Sequence, residues 1–175
     1  MRLLSIGLNP SLPSVEAGFY FANPRNRFWK ALNGSRLLHK AVAPGVDAMP
    51  QLLQREGIGF TDVVKRPTRS GAGLRAADFR AGAPRLRELI EHYRPRCAWF
   101  HGKVAYGAFL RHAGLASAEA VWGLQPLTVG ESVIFVTPNP SPANAAYSLQ
   151  DLVDWYDRLA QLPAVRARRF PGGAR

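Results

Sequence analysis

The 175-residue chain holds a single cysteine, Cys97. That excludes an intrachain disulfide and the clustered thiolates of a structural zinc or iron–sulfur site. The surrounding Pro95-Arg96-Cys97-Ala98-Trp99-Phe100-His101 reads as a buried strand, where a lone thiol behaves as a small hydrophobe. Acidic residues are scarce: 12 Asp and Glu against 23 Lys and Arg give a net charge of +11. Arginine greatly outnumbers lysine, and planar guanidinium groups suit phosphate oxygens. The charge therefore favours nucleic acid, with an anionic membrane surface as the other class of partner. Long apolar runs are missing, since none approaches the roughly 18–20 residues that span a bilayer. The opening Met1–Pro10 has one arginine and a short apolar stretch broken at Pro10, so it reads as a first strand rather than a signal peptide. The expected location is cytoplasmic, nucleoid-associated in a bacterium. Metal-ligand spacing is also absent: His39, His92, His101 and His112 form no cluster, and no metal or cofactor is expected. No GxxxxGK[ST] cradle is present, which disfavours a small-molecule nucleotide hydrolase.

What is present is a globular composition, 47% apolar or aromatic, sized for one core. Leu3–Leu8 reads as a buried strand entering a loop at Asn9-Pro10-Ser11. The loop is expected to continue through Gly18 and Phe19-Tyr20-Phe21 to a helix over about 25–32. A helix over 47–56, ended by Gly57, precedes a second strand, 58–64, and a basic loop, 65–73. Leu86, Leu89 and Ile90 share a face of a helix over 77–93. A third strand follows at 97–101, then a helix over 103–112. Short strands at 127–129 and 133–136 flank Gly130-Glu131-Ser132. After a loop over 138–145 comes a last helix, 149–159. This alternation predicts an α/β fold, a three-layer αβα sandwich with a short, mainly parallel sheet. One domain is expected over 1–161, with a basic, flexible tail over 162–175 adding only nonspecific affinity. Ligands of such sheets gather beyond the carboxyl ends of the strands. Both Asn-Pro-Ser sequences, 9–11 and 139–141, lie just after strands and so are placed to meet at that edge.

The most specific feature is Ile6-Gly7-Leu8-Asn9-Pro10-Ser11 followed by Gly18-Phe19-Tyr20-Phe21-Ala22-Asn23-Pro24-Arg25-Asn26-Arg27-Phe28-Trp29. With Gly59–Thr68 and Pro138-Asn139-Pro140-Ser141, it resembles the mismatch-specific uracil-DNA and thymine-DNA glycosylase family of the uracil-DNA glycosylase superfamily. Order and approximate spacing agree over about residues 3–160. The resemblance implies a monofunctional enzyme of base excision repair that flips uracil, foremost in G:U mismatches, out of DNA and hydrolyses its N-glycosidic bond. Other deaminated or damaged bases are further candidates. It also implies double-stranded DNA as partner and a monomeric enzyme. A base in the stack cannot be attacked, so it must be extruded into a pocket. There, catalysis requires stabilised charge on the departing base and a positioned water at the sugar.

By the resemblance, Asn9 holds the attacking water, although Asn9-Pro10 alone would serve as a turn. Asp62, at the end of the second strand, either supplies the carboxylate that Asn9 lacks or pairs with Arg66 or local backbone. Phe21 corresponds to the aromatic ring that stacks on the base, with backbone at Leu8 and Phe21 reading the base's polar edge. Tyr20 and Ser14 are expected to shape the base site, while Phe19, Phe28 and Trp29 read as core and His101 as structural. Asn139 and Ser141 match a loop approaching the minor groove, where phosphate contacts fix register without reading sequence. The sequence departs from the pattern at Ala143, where relatives place an apolar wedge, and at Ala145, where an arginine is expected. A small residue fills a vacated stack poorly, leaving Asn144 as a candidate contact to the orphan base. Lys65, Arg66, Arg69 and Lys103 are candidate phosphate contacts. The rival reading is a non-catalytic DNA-binding module on the same fold, which would not need Asn9 and Phe21 together.

Overall fold

The computed structural model describes residues 1–115 and 119–166. In chain order the main elements are β1 (Leu3–Gly7), α1 (Leu12–Ala17), α2 (Phe28–Gly34), α3 (Ala48–Gln51), β2 (Ile58–Asp62), α4 (Ala76–Tyr93), β3 (Cys97–His101), α5 (Lys103–His112), β4 (Gly123–Val129), β5 (Ser132–Thr137), α6 (Leu149–Gln161) and α7 (Pro163–Arg166). The sheet order is β2-β1-β3-β5-β4. The first four strands in that order run parallel, and only β4 is antiparallel, paired with β5. β1 and β3 are buried along their whole length, as strands covered on both faces must be.

The pleat divides the apolar residues between two layers. Leu4, Ile6, Phe100 and Ile134 pack with Leu86, Ile90 and Phe109 of α4 and α5. On the opposite face Leu3, Ile58, Trp99 and Phe135 pack with Phe28, Leu32, Leu152 and Tyr156 of α2 and α6. The fold is therefore the expected αβα sandwich, with Phe28, Trp29 and Cys97 in the core. Burial pushes the Cys97 thiol pKa well above its ordinary range, which suits an inert side chain.

Several boundaries differ from the sequence expectation. The segment after Asn9 is not wholly loop: Ser11 caps α1, accepting the Ser14 N–H at 3.3 Å, and Pro13 lies in the first turn. Six residues with no buried side chain leave no periodic signal. α2 starts at Phe28 because Asn26 Oδ1 accepts the Phe28 N–H at 2.9 Å. The helix ending at Glu56 widens into a π-turn over Leu52–Glu56. β4 begins at Gly123, with a register break between Leu124 and Thr128; its inward residues Gly123 and Gln125 are not large apolar ones, so its alternation is not visible in the sequence. Chain order persists past residue 162: Val165 of α7 is fully buried. The remainder of the expected tail, 167–175, lies outside the described residues. Among these, no helix is long and apolar enough to cross a membrane.

Candidate active site

β1 and β2 remain paired beyond their strand ends. Gly7 lies opposite Asp62, the Val63 N–H donates to the Gly7 carbonyl at 2.9 Å, and the Val64 N–H donates to Leu8 at 3.0 Å. The next residue in this sequence is Asn9. Its Nδ2 donates to the Arg66 carbonyl at 3.0 Å and to Thr68 Oγ1 at 2.7 Å, with the Pro10 carbonyl at 3.2 Å. Two carbonyl oxygens can be faced only by the NH2 end of an amide, so its orientation is fixed. Oδ1 accepts no hydrogen bond among the described residues, and is left as an acceptor at the carboxyl edge of the sheet. The turn role and the acceptor role of Asn9 are thus compatible.

Asp62 shares its strand face with Phe60, which packs against the α2 and α6 layer. The Asp62 carboxyl lies over the α-carbon of Gly7, where any Cβ would overlap Oδ1. Asp62 is 4% exposed, and its Oδ2 has no hydrogen-bond partner among the described residues. Burial, opposed by the charge of Lys65, raises its pKa from 3.8 to about 7. It does not pair with Arg66, because that guanidinium grips Asp78 at 2.9 and 2.6 Å.

Phe21 adopts φ 59°, a left-handed conformation that is rare for an aromatic residue. Its half-buried ring stacks on Phe28, with centroids 4.1 Å apart and planes inclined by 16°. The edge of the set is His101, 5.1 Å from the Phe21 centroid. Tyr20 stacks on Phe60 at 5.3 Å, and its carbonyl accepts the Trp29 indole N–H at 3.0 Å. Burial and the neighbouring Asp62 charge raise the Tyr20 pKa to about 12. Ser14 Oγ accepts the Ala22 N–H at 3.2 Å and bonds Ser11 Oγ at 2.9 Å, so it braces the Phe21 turn from α1. His101 is buried, and desolvation lowers its pKa to about 3, keeping the ring neutral. Its Nε2 lies 2.8 Å from Ser5 Oγ, while Nδ1 has no hydrogen-bond partner among the described residues.

The loop after β5 reaches the same edge. The Gly102 N–H, at the end of β3, donates to the Thr137 carbonyl at 2.7 Å. Asn139 Oδ1 accepts the Ser141 N–H at 2.9 Å, and Ser141 Oγ accepts the Ala143 N–H at 3.3 Å. The Asn144 amide is turned inward, donating to the Asn139 carbonyl at 3.0 Å. Pro142, Ala143, Ala145 and Ala146 are exposed. Arg27 holds this loop: its guanidinium donates to the carbonyls of Pro140, Ser141, Asn144 and Tyr147. Sequence reasoning missed Arg27, since one arginine among many carries no signal that its partners are main-chain oxygens.

The basic candidates have different partners. Lys65 folds onto Thr61 Oγ1, and burial lowers its pKa. Arg66 is occupied by Asp78 and by the Gly73 carbonyl at 2.7 Å; the hydrogen bond from Arg66 holds the Asp78 pKa down to about 2. Arg69 is exposed. Lys103 Nζ lies 4.9 Å from the Trp122 ring centroid, and Trp122 packs edge-on to Tyr147 at 5.6 Å. A cavity of about 240 Å³ lined by Thr61, Asp62, Lys65, Arg66, Asp78 and Arg85 opens between β2 and α4. Among the described residues, no group of three or more His, Cys, Asp or Glu is arranged to hold a metal.

Similarity to solved structures agrees with this architecture. A candidate uracil DNA glycosylase from Methanosarcina acetivorans, solved in solution, is 23% identical with a TM-score of 0.52, over 89% of this chain and 86% of that one. A citrate-bound domain of unknown function from Bordetella bronchiseptica is 16% identical with a TM-score of 0.38, over 97% of this chain and 42% of that one. The former shows the shared fold; the latter is too distant to bear on it. The sequence profile of the uracil DNA glycosylase superfamily matches residues 1–160. The chain belongs to the uracil DNA glycosylase superfamily.

Proposed function

We propose that the protein is a monofunctional DNA glycosylase of the mismatch-specific type, which flips uracil out of duplex DNA, foremost from G:U mismatches, and hydrolyses its N-glycosidic bond. The observation that carries this reading is the fixed amide of Asn9. With Nδ2 committed to the Arg66 carbonyl and Thr68 Oγ1, Oδ1 is pre-set to accept an O–H of water and direct its lone pair toward a sugar carbon. Preorganisation of this kind avoids reorganisation during reaction. Phe21, already stacked on Phe28, offers a backed aromatic surface for an extruded base, and Ser14 and Tyr20 support that turn. In the reaction the C1′–N bond breaks with its electron pair leaving on the base, while water oxygen bonds to C1′. The ionised Asp62 carboxylate takes the water's proton, or offsets charge on the sugar while that proton passes to the departing base; its pKa of about 7 suits a group that changes protonation near neutrality.

Asn139, Ser141, Arg69 and Lys103 contact DNA phosphate in this reading, while Ala143 leaves the gap only shallowly filled. The test is base release from oligonucleotides carrying uracil opposite guanine, uracil opposite adenine, or uracil in a single strand, with alkali to reveal abasic sites. Wild type should release uracil, and Asn9→Ala should lose release while still binding DNA. Strand nicking without alkali or heat would contradict a monofunctional enzyme. Firm DNA binding with no release of uracil, thymine or hypoxanthine would favour the binding-module reading.

A further inference from the structure

We infer that Arg27 is a positioning residue that sets the Pro138–Tyr147 loop for DNA engagement; this rests on the glycosylase reading for its catalytic consequences. An arginine presents five N–H donors in a rigid fork. Here Nε donates to the Pro140 carbonyl at 3.4 Å, Nη2 donates to Ser141 at 2.9 Å and Asn144 at 2.7 Å, and Nη1 donates to Tyr147. The Arg27 backbone N–H adds a bond to Pro140 at 3.1 Å. No acidic side chain shares this guanidinium among the described residues, so its hydrogen bonds go to loop backbone.

Among the described residues no other side chain hydrogen-bonds this loop to the body; Tyr147 adds a ring contact to Trp122. The loop's internal bonds join Asn139 to Ser141, Ser141 to Ala143, and Asn144 to Asn139, which shape the turn but do not tie it to the body. Arg27 is also the residue before Phe28, whose ring supports Phe21. One backbone step therefore fixes both the stacking surface and the second loop, setting the distance between base site and loop tip. Asn9, Asp62 and Phe21 all lie outside this loop. Releasing it should impair DNA engagement more than the bond-breaking step.

The experiment compares wild type, Arg27→Gln and Arg27→Lys on a G:U duplex. It measures kcat, KM, Kd for an unmodified duplex, and amide hydrogen exchange. Both variants should raise KM and Kd by roughly ten- to hundredfold, the scale of a misplaced binding element, with kcat nearly unchanged. Exchange should quicken at Ser141, Ala143 and Asn144 while β1 and β3 stay protected. Lysine should not rescue, because a single ammonium cannot span the carbonyls that the fork reaches. Wild-type KM in Arg27→Lys would overturn the proposal by showing that charge alone suffices. Unchanged Kd in both variants, or uniformly faster exchange with a fall in kcat at constant KM, would overturn it as well. Absence of base release by wild type would refute the glycosylase reading, whereas Kd and exchange would still decide the role of Arg27.

Discussion

Asp62→Asn should make the protein more stable and less active, and the size of each change should depend on pH. The carboxyl is 4% exposed with one oxygen unpartnered among the described residues, and its pKa rises from 3.8 to about 7. At about 1.4 kcal/mol per pH unit, the fold disfavours the ionised form by roughly 4 kcal/mol, and water entry would reduce this to roughly 2–4 kcal/mol. Between these pKa values the folded state binds more protons than the unfolded state, so stability falls as pH rises. The favourable contribution is full below about pH 4 and gone above about pH 7. An amide of nearly the same shape does not titrate. The stability difference between Asp62→Asn and wild type, from urea denaturation, should therefore widen from about pH 4 to pH 7 and then level. Over the same range wild-type kcat should rise with the ionised fraction of Asp62, and the variant should lose that limb. A stability difference that stays flat with pH would refute the desolvation argument. An unchanged kcat profile would refute the catalytic one.

Asn9→Ala should lower kcat for uracil release by roughly 10²–10³-fold, the scale for removing one preorganised polar group, with duplex affinity nearly retained in a binding titration. Thr68→Val, which removes one acceptor from Asn9 Nδ2, should give a smaller fall in kcat without shifting its pH dependence. Phe21→Ala should weaken uracil-DNA engagement by about 1–3 kcal/mol, the range for one stacked base, read as a rise in KM. Gly7→Ala should destabilise by about 1–3 kcal/mol because its Cβ meets Asp62 Oδ1; adding Asp62→Ala should recover part of the loss in a double-mutant denaturation cycle.

The fold was legible where burial was regular. The runs at Leu3–Gly7 and Cys97–His101 are buried throughout, and Leu86 and Ile90 mark the inward stripe of α4. Strand order was not contained in those patterns. α1 was invisible because its stability rests on a serine cap and neighbouring turns rather than on an apolar face. The start of β4 was hidden because its inward positions Gly123 and Gln125 carry no large apolar side chain, while the apolar Leu124 faces outward.

At the candidate site, side-chain chemistry could be read from sequence but its direction could not. Asn9 and Asp62 stand out as residue types, yet an amide is useful for holding water only if its NH2 end is already occupied. The Arg66 carbonyl, 57 positions away, supplies that condition. Arg66 itself was read as a phosphate contact, but its side chain serves Asp78 while its backbone serves Asn9. Asp62 likewise gains its raised pKa from burial against Gly7, whose missing side chain leaves the room. Glycine at position 7 and a backbone oxygen at position 66 are chemically plain in a sequence. Their effect arises when the parallel pairing of β1 and β2 continues past the strands, so the same register that completes the sheet also orients the two polar side chains at its edge.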